Sequence, residues 1–245
     1  MINCNISTNL YTHSCMHNKI YLLIIFVAVL GIGFYLNMNG GEKITSKESG
    51  NPTQASQNMS FFITSKNPGN GGNLGGLSGA DAYCGQLADS AGVSGKTWKA
   101  YLSTTGTSSV NAKDRIGNGP WFNYKGELIA NNLTELHGEN NLNKNTALTE
   151  KGEIVSGRGD EVNVHDILTG STADGIAVAT STDTTCNNWT SDSSGSAVVG
   201  HHDRIGINET APMKSWNSSH GSRGCSLENL KTTGGGGLFY CFEAK

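Results

Sequence analysis

The sequence is poor in charged residues, prolines and arginines, and this composition excludes some classes of function and structure. Only 15% of the 245 residues are charged and the formal net charge is −3, so the chain lacks the basic surface typical of nucleic-acid binders. The few arginines are scattered along the chain, at Arg115, Arg158, Arg204 and Arg223. With 33 glycines and four prolines, the composition favours many turns and little long helix. No nucleic-acid partner is expected.

The sequence also lacks the common catalytic motifs. It contains no GxSxG elbow, no HExxH zinc-protease motif, no P-loop and no dinucleotide-binding glycine fingerprint. Serine, histidine and aspartate are plentiful, but no spacing fixes their geometry. We therefore predict that the protein is not an enzyme and that it uses no cofactor.

One long apolar run stands near the N-terminus. Residues Ile20–Leu36 form an uncharged stretch of 17 residues, which is at the short end for a membrane span and long for the core of a signal peptide. Lys19 precedes the run and the next basic residue is Lys43, a weak bias that places the N-terminus inside. We predict a transmembrane signal anchor with the C-terminal domain outside the cell. A cleaved signal peptide, which would give a secreted protein, is the alternative.

The remaining chain divides by composition. Residues 1–19 form a short tail before the span at residues 20–36. Residues 37–60 are polar and lack apolar periodicity, so we predict a disordered linker. A compact domain is then predicted over residues 61–245.

The cysteines agree with an external domain. Cys4 and Cys15 precede the apolar run, whereas the predicted domain carries Cys84, Cys186, Cys225 and Cys241. Four cysteines allow three pairings, and their wide spacing argues against a zinc ribbon. In an oxidising compartment we expect two disulfides.

Local patterns predict a mixed α+β domain with one main helix. SFFITS at 60–65 and KTWKAYLS at 96–103 read as strands, GPWFNYKGELIANN at 119–132 as a hairpin, and GGGGLFYCFE at 234–243 as a closing strand beside the first. Between them, Gly79–Ala91 has helical spacing, with Ser78 as N-cap and Asp81 completing a capping box. Cys84 then faces the core, which favours a structural role over a reactive thiol.

Several of these segments together resemble the endostatin-like domain. They are GGLSGADAYCGQLADSAGVSGKTWKAYLS, YKGELIANNLTELH, ILTGSTADG, TCNNWTS and the closing LFYCFE, in this order. The endostatin-like domain is the C-terminal domain of certain basement-membrane collagens and has bacterial surface-lipoprotein relatives. The resemblance implies a C-type-lectin-like fold, loop-rich, with a mixed or antiparallel sheet. It also implies nested disulfides that pair Cys84 with Cys241 and Cys186 with Cys225.

The family's ligand sites do not carry over. Vertebrate members bind zinc through histidines at the start of the domain, and residues 60–79 contain none. No Glu-Pro-Asn or Gln-Pro-Asp loop is present for calcium-dependent sugar binding. We interpret His201, His202 and Asp203 as a solvated polar turn, and His165 with Asp166 as unremarkable. No metal site is therefore predicted.

The candidate binding residues lie in predicted loops. Arg158, Gly159 and Asp160 match the integrin-recognition tripeptide; a chance match is the simpler interpretation, although binding residues favour loops on a rigid scaffold. Trp189 and Trp216 lie in loop-rich segments and are candidate surface aromatics. We predict a non-catalytic extracellular module for adhesion or recognition of a matrix-type protein or a glycan. A structural cell-surface domain without a dedicated ligand and a secreted hydrolase with an unrecognised site are the alternatives.

Overall fold

The computed structural model describes residues 54–107 and 109–245. In these residues no helix has the length and apolar character needed to cross a membrane. The predicted anchor at Ile20–Leu36, the N-terminal tail and most of the predicted linker lie outside the described residues.

The described chain is a mixed α+β domain, as predicted. Its strands are β1 (Phe61–Ile63), β2 (Trp98–Ala100), β3 (Trp121–Phe122), β4 (Leu128–Ala130), β5 (Asp166–Leu168), β6 (Val198–His201), β7 (His220–Gly221) and β8 (Gly235–Glu243). Its helices are α1 (Gln54–Gln57), α2 (Gly76–Ser90), α3 (Leu133–His137), α4 (Cys186–Trp189) and α5 (Leu227–Thr233), with 3₁₀ turns at Ala112–Arg115 and Pro212–Lys214.

The closing strand β8 organises the main sheet. Strand β1 pairs antiparallel with one edge of β8, while β5 and β2 pair with successive parts of the other edge, β5 in parallel and β2 antiparallel. The sheet continues from β5 to β6 and then β7, both antiparallel. Strands β3 and β4 form a separate hairpin. The predicted pairing of the first and last strands is therefore confirmed.

Both faces of β8 are buried because its side chains alternate between two cores. Phe239 and Cys241 enter a core that includes α2, whereas Tyr240 and Phe242 enter a second core on the opposite face. Tyr101, which the alternation of KTWKAYLS places on the exposed side, is fully buried in this second core. The alternation misleads at Tyr101 because the sheet is covered on both faces.

The main helix begins earlier than predicted and is not capped by Asp81. Helix α2 starts at Gly76, preceded by Gly75 at φ +75°, so Ser78 lies inside the helix. The Asp81 carboxylate instead accepts hydrogen bonds from the side chains of Arg115 and Lys99, each at 2.8 Å, and from the backbone N–H of Ala100 at 3.0 Å. Asp81 thus joins α2 to β2, a role that no local pattern reveals.

Two disulfides close the domain with the pairing that the resemblance implies. Cys84–Cys241 joins α2 to β8 across a sequence separation of 157 residues. Cys186–Cys225 spans 39 residues. Both lie in the first core, so Cys84 is an oxidised structural residue rather than a free thiol.

The folded domain starts before residue 61. Met59 and Ser60 are fully buried, and the backbone oxygen of Met59 accepts a hydrogen bond from the Lys96 ammonium at 2.7 Å. The end of the predicted linker, from Gln54 onwards, is therefore part of the domain.

Candidate functional site

Strand pairing gathers three histidines and an aspartate at the β5–β6–β7 edge of the sheet. Asp166 opens β5 and pairs with His201, the last residue of β6. His220 opens β7 opposite Val199, two residues before His201, so alternation places His220 and His201 on the same face. His165 directly precedes β5. We call His165, Asp166, His201 and His220 the histidine centre.

The polar atoms of the histidine centre converge on one carboxylate oxygen. Asp166 Oδ1 lies 3.2 Å from His165 Nε2, 3.3 Å from His201 Nε2 and 3.5 Å from His220 Nε2. The Nε2 atoms of His201 and His220 are 3.0 Å apart. His165, Asp166 and His201 each offer one ligand atom, all within 4.8 Å of one another, so these three residues could hold a metal ion.

The histidine centre is largely withdrawn from solvent. The side chains of His165, Asp166 and His201 are at most 2% exposed, whereas that of His220 is 28% exposed. Burial by itself would raise the pKa of Asp166, but the neighbouring imidazoles of His201, His220 and His165 outweigh it and lower this pKa. The Asp166 carboxylate in turn raises the pKa of His220. The carboxylate and the imidazoles of this buried centre therefore interact strongly with one another.

A second carboxylate, Asp203, lies directly behind His165. Its Oδ1 is 3.2 Å from His165 Nδ1 and accepts a hydrogen bond from Ile205 N at 3.0 Å, while its Oδ2 accepts one from Arg158 N at 2.7 Å. Burial would raise the pKa of Asp203, but the bonds with His165, Arg158 and Ile205 lower it strongly. Asp203 therefore connects the histidine centre to the loop that carries Arg158.

The prediction of a solvated turn at His201, His202 and Asp203 is wrong. The three residues are 2%, 0% and 6% exposed. Burial lowers the pKa of His202 to about 4, and its Nε2 lies 3.3 Å from Ser156 O. The turn is buried because β6 lies inside the sheet, between β5 and β7.

The Arg158–Asp160 tripeptide is exposed on a tight turn, in keeping with the predicted loop. Asp160 accepts hydrogen bonds from the Lys144 ammonium at 2.6 Å and from Gly157 N at 2.7 Å, and these bonds lower its pKa. A Cβ atom on Gly157 would lie 2.5 Å from Asp203 Oδ2, so glycine lets this loop approach the carboxylate closely. Hydrogen bonds therefore hold the turn at Arg158, through Asp203, and at Asp160, through Lys144.

The prediction that Trp189 and Trp216 are surface aromatics is wrong. Trp189 is fully buried and its indole N–H donates to Ser103 O at 2.8 Å. Trp216 is 3% exposed and packs against Tyr101 and Tyr240, with ring centroids 4.8 and 5.2 Å away. Trp189 and Trp216 both follow irregular segments, but these segments pack against the sheet, so the two indole rings are buried in its cores.

Helix α4, which ends at Trp189, is a single left-handed turn. Its four residues, from Cys186 to Trp189, have φ between +48° and +68°. Residues other than glycine rarely adopt this left-handed conformation, at a cost of about 1–2 kcal/mol each. The Cys186–Cys225 disulfide and the hydrogen bonds of the Asn188 side chain with Thr105 hold the turn.

No protein-family model matches the chain, and no curated protein is significantly similar to it. The site must therefore be judged on its own geometry.

Sequence reasoning missed the histidine centre because its members come from three separate segments. The local signals are the pairs His165–Asp166 and His201–His202 and the isolated His220. Only the register of β5 with β6 and of β6 with β7 joins them, and that register cannot be read from strands of two to four residues.

Proposed function

We propose that the described domain is a non-catalytic extracellular binding module, of endostatin-like and C-type-lectin-like type, whose ligand is a protein. The two disulfides support an oxidising compartment outside the cytosol. Their pairing also supports the resemblance to the endostatin-like domain. Attachment to the membrane through residues 20–36 is part of the same proposal.

The observation that carries the proposal is a set of four exposed aliphatic side chains on two segments that a hydrogen bond joins. Ile154 and Val162 flank the Arg158–Asp160 turn in sequence and are 55% and 62% exposed. Ile205 and Ile207 follow Asp203 and are 45% and 75% exposed. The hydrogen bond between Asp203 and Arg158 holds the two segments together. We call residues 154–162 and 203–207 the aliphatic loops.

The aliphatic loops have the chemistry of a protein-binding surface. A contiguous patch of exposed apolar side chains rimmed by polar residues marks an interaction site, and we propose that these four side chains form such a patch. Arg158, exposed on the turn, supplies the charged neighbour and is a residue type enriched at interfaces. A glycan ligand is less well supported, because Trp189 and Trp216, the candidates for stacking on a sugar ring, are buried.

The proposal is tested by capture on arrays of matrix proteins and glycans. The full-length chain is purified from an oxidising host and compared with Ile207→Ser and, as the matched control, Ile176→Ser, an exposed isoleucine outside the aliphatic loops. We expect a protein ligand to be retained, its capture to be lost in Ile207→Ser and to persist in Ile176→Ser.

Three results would contradict the proposal. Capture by glycans alone would shift recognition to a polar groove that His137, Arg204 and Lys214 help to line. Capture by nothing on either array would favour a structural surface domain. Turnover of a hydrolase substrate panel, lost on replacing one acidic residue, would make the protein an enzyme.

A further inference from the structure

We propose that His165, Asp166, His201 and His220 bind one zinc ion. This inference is independent of the proposed ligand and goes beyond it. It rests on the orientation of the three imidazoles, on the spacing of the four ligand atoms and on an unsatisfied buried carboxylate.

The outer ring nitrogen of each histidine faces an acceptor. His165 Nδ1 lies 3.2 Å from Asp203 Oδ1, His201 Nδ1 lies 2.8 Å from Met213 O, and His220 Nδ1 lies 3.2 Å from Gly221 O. These contacts suit the neutral tautomer in which Nδ1 carries the proton and donates it, and in that tautomer each Nε2 has a free lone pair. This second layer of acceptors is the arrangement that fixes the tautomer of metal-binding histidines.

The four inward-facing atoms are then all electron-pair donors. In this tautomer three Nε2 lone pairs and the Asp166 carboxylate face one another with no proton between them, and a bound cation would relieve their repulsion. The separations of 3.2, 3.3 and 3.5 Å from Asp166 Oδ1 are close to those around a tetrahedral ion. His220 is not among the three residues whose ligand atoms all lie within 4.8 Å of one another, so its partly exposed ring would turn towards the ion on binding. Zinc–ligand bonds of about 2.0–2.2 Å imply ligand atoms about 3.3–3.6 Å apart.

The buried carboxylate of Asp166 is a second observation in favour of an ion site. Both of its carboxylate oxygens are buried, and neither has a hydrogen bond of acceptable geometry within the described parts of the chain, residues 54–107 and 109–245. A buried carboxylate without aligned donors is costly, and such a group calls for an ion or another partner. A zinc ion among the three Nε2 atoms would satisfy Asp166 Oδ1 directly.

The donor set selects the ion. Three imidazole nitrogens and one carboxylate suit zinc, whereas calcium and magnesium prefer sites made only of oxygen atoms. His220 is the one partly exposed member and gives the ion a route from solvent.

The test is a zinc titration of the full-length chain. Because free thiols at Cys4 and Cys15 would bind zinc elsewhere, both cysteines are replaced by serine in every sample. The chain is purified with its disulfides intact, stripped with a chelator and titrated with zinc by calorimetry. Cobalt(II) is added in parallel, because a four-coordinate cobalt site gives strong visible absorption.

We expect one zinc per chain, a four-coordinate cobalt spectrum, and zinc affinity that is at least about 10-fold weaker in His220→Ala. His220 is partly exposed, so this variant keeps the fold even if replacement of the buried ligands does not. His137→Gln, which alters a histidine outside the centre, should bind zinc like the parent chain. Folded parent chain that takes up no zinc would overturn the proposal. Equal affinity in the parent chain and His220→Ala would overturn the four-ligand assignment.

Discussion

The carboxylate of Asp203 accepts a 2.7 Å hydrogen bond from the backbone N–H of Arg158. The other oxygen of the same carboxylate lies 3.2 Å from His165 Nδ1. One side chain therefore holds both a member of the histidine centre and the exposed turn of the aliphatic loops. If the centre binds zinc, the ion orients His165, His165 orients Asp203, and Asp203 positions the turn.

Replacing Asp203 with asparagine tests this connection. One oxygen becomes an NH₂ group that cannot accept, so either the bond from Arg158 N or the interaction with His165 Nδ1 is lost. We expect zinc affinity to fall about 10–100-fold, as for other residues that orient a metal ligand. Calorimetric titration gives this value, and urea unfolding of the metal-free protein separates it from a loss of stability. Unchanged affinity would remove Asp203 from the support of the centre.

The two disulfides should differ in their contribution to stability. In the chain-entropy model, a loop of 157 residues corresponds to about 5 kcal/mol and a loop of 39 residues to about 4 kcal/mol. We expect Cys84→Ala/Cys241→Ala to be at least as destabilising as Cys186→Ala/Cys225→Ala. Urea unfolding of both double variants measures the difference. A clearly greater loss from the shorter loop would show that the left-handed turn at Cys186, rather than loop closure, dominates.

Asp81 should be a stabilising residue with no part in binding. Its carboxylate is 15% exposed and bridges Arg115 and Lys99. Asp81→Asn keeps the size of the side chain but removes its charge, and we expect a loss of about 2–3 kcal/mol in the free energy of unfolding. Asp89→Asn, at an exposed position of the same helix, is the matched control and should change stability by less than about 0.5 kcal/mol. Equal effects in urea unfolding would refute the bridging role.

The buried, neutral His137 should make the folded protein less stable in mild acid. Its Nδ1 donates to Leu133 O and its Nε2 accepts from the Tyr101 hydroxyl, each at 2.8 Å, so the native state holds it neutral. Burial, the largest influence, lowers the pKa of His137 below 6.5, with Lys113 acting in the same direction. Below about pH 6.5 the unfolded chain therefore binds a proton at His137 more readily than the folded chain does. The stabilisation present above about pH 6.5 declines as pH falls.

The measurement for His137 is the melting temperature between pH 7.5 and pH 5, compared with His137→Gln. Glutamine does not titrate, so the difference between the two curves isolates His137 from the other histidines. We expect the wild type to lose more stability on acidification than the variant. Parallel curves would show that His137 keeps its ordinary pKa in the folded protein.

Local sequence patterns predicted the main helix and five of the strands. The strand at Phe61–Ile63 and the hairpin of β3 and β4 follow from alternation and turn residues. These features depend on neighbours a few residues away. The C-terminal end of α2 was predicted to within one residue, and Gly92, two residues after Ser90, adopts φ +81°.

The errors fall where distant segments meet. Asp81 looked like a capping residue because Arg115, its partner, is 34 positions further along the chain. Trp216 looked exposed because nothing near it in sequence shows that Tyr101 and Tyr240 cover it. The histidine centre depends on the pairing of three short strands, and single-residue slips in that pairing would separate its members.

The link between the histidine centre and the aliphatic loops is tested most directly by amide hydrogen exchange of the full-length chain with and without zinc. The reporter is the Arg158 amide, read from peptides that cover Gly157–Asp160. The control is the Gly152 amide, which donates to Thr149 O in another turn. We predict that zinc slows exchange at Arg158 severalfold and leaves Gly152 unchanged. Exchange at Arg158 that is the same with and without zinc would contradict the account.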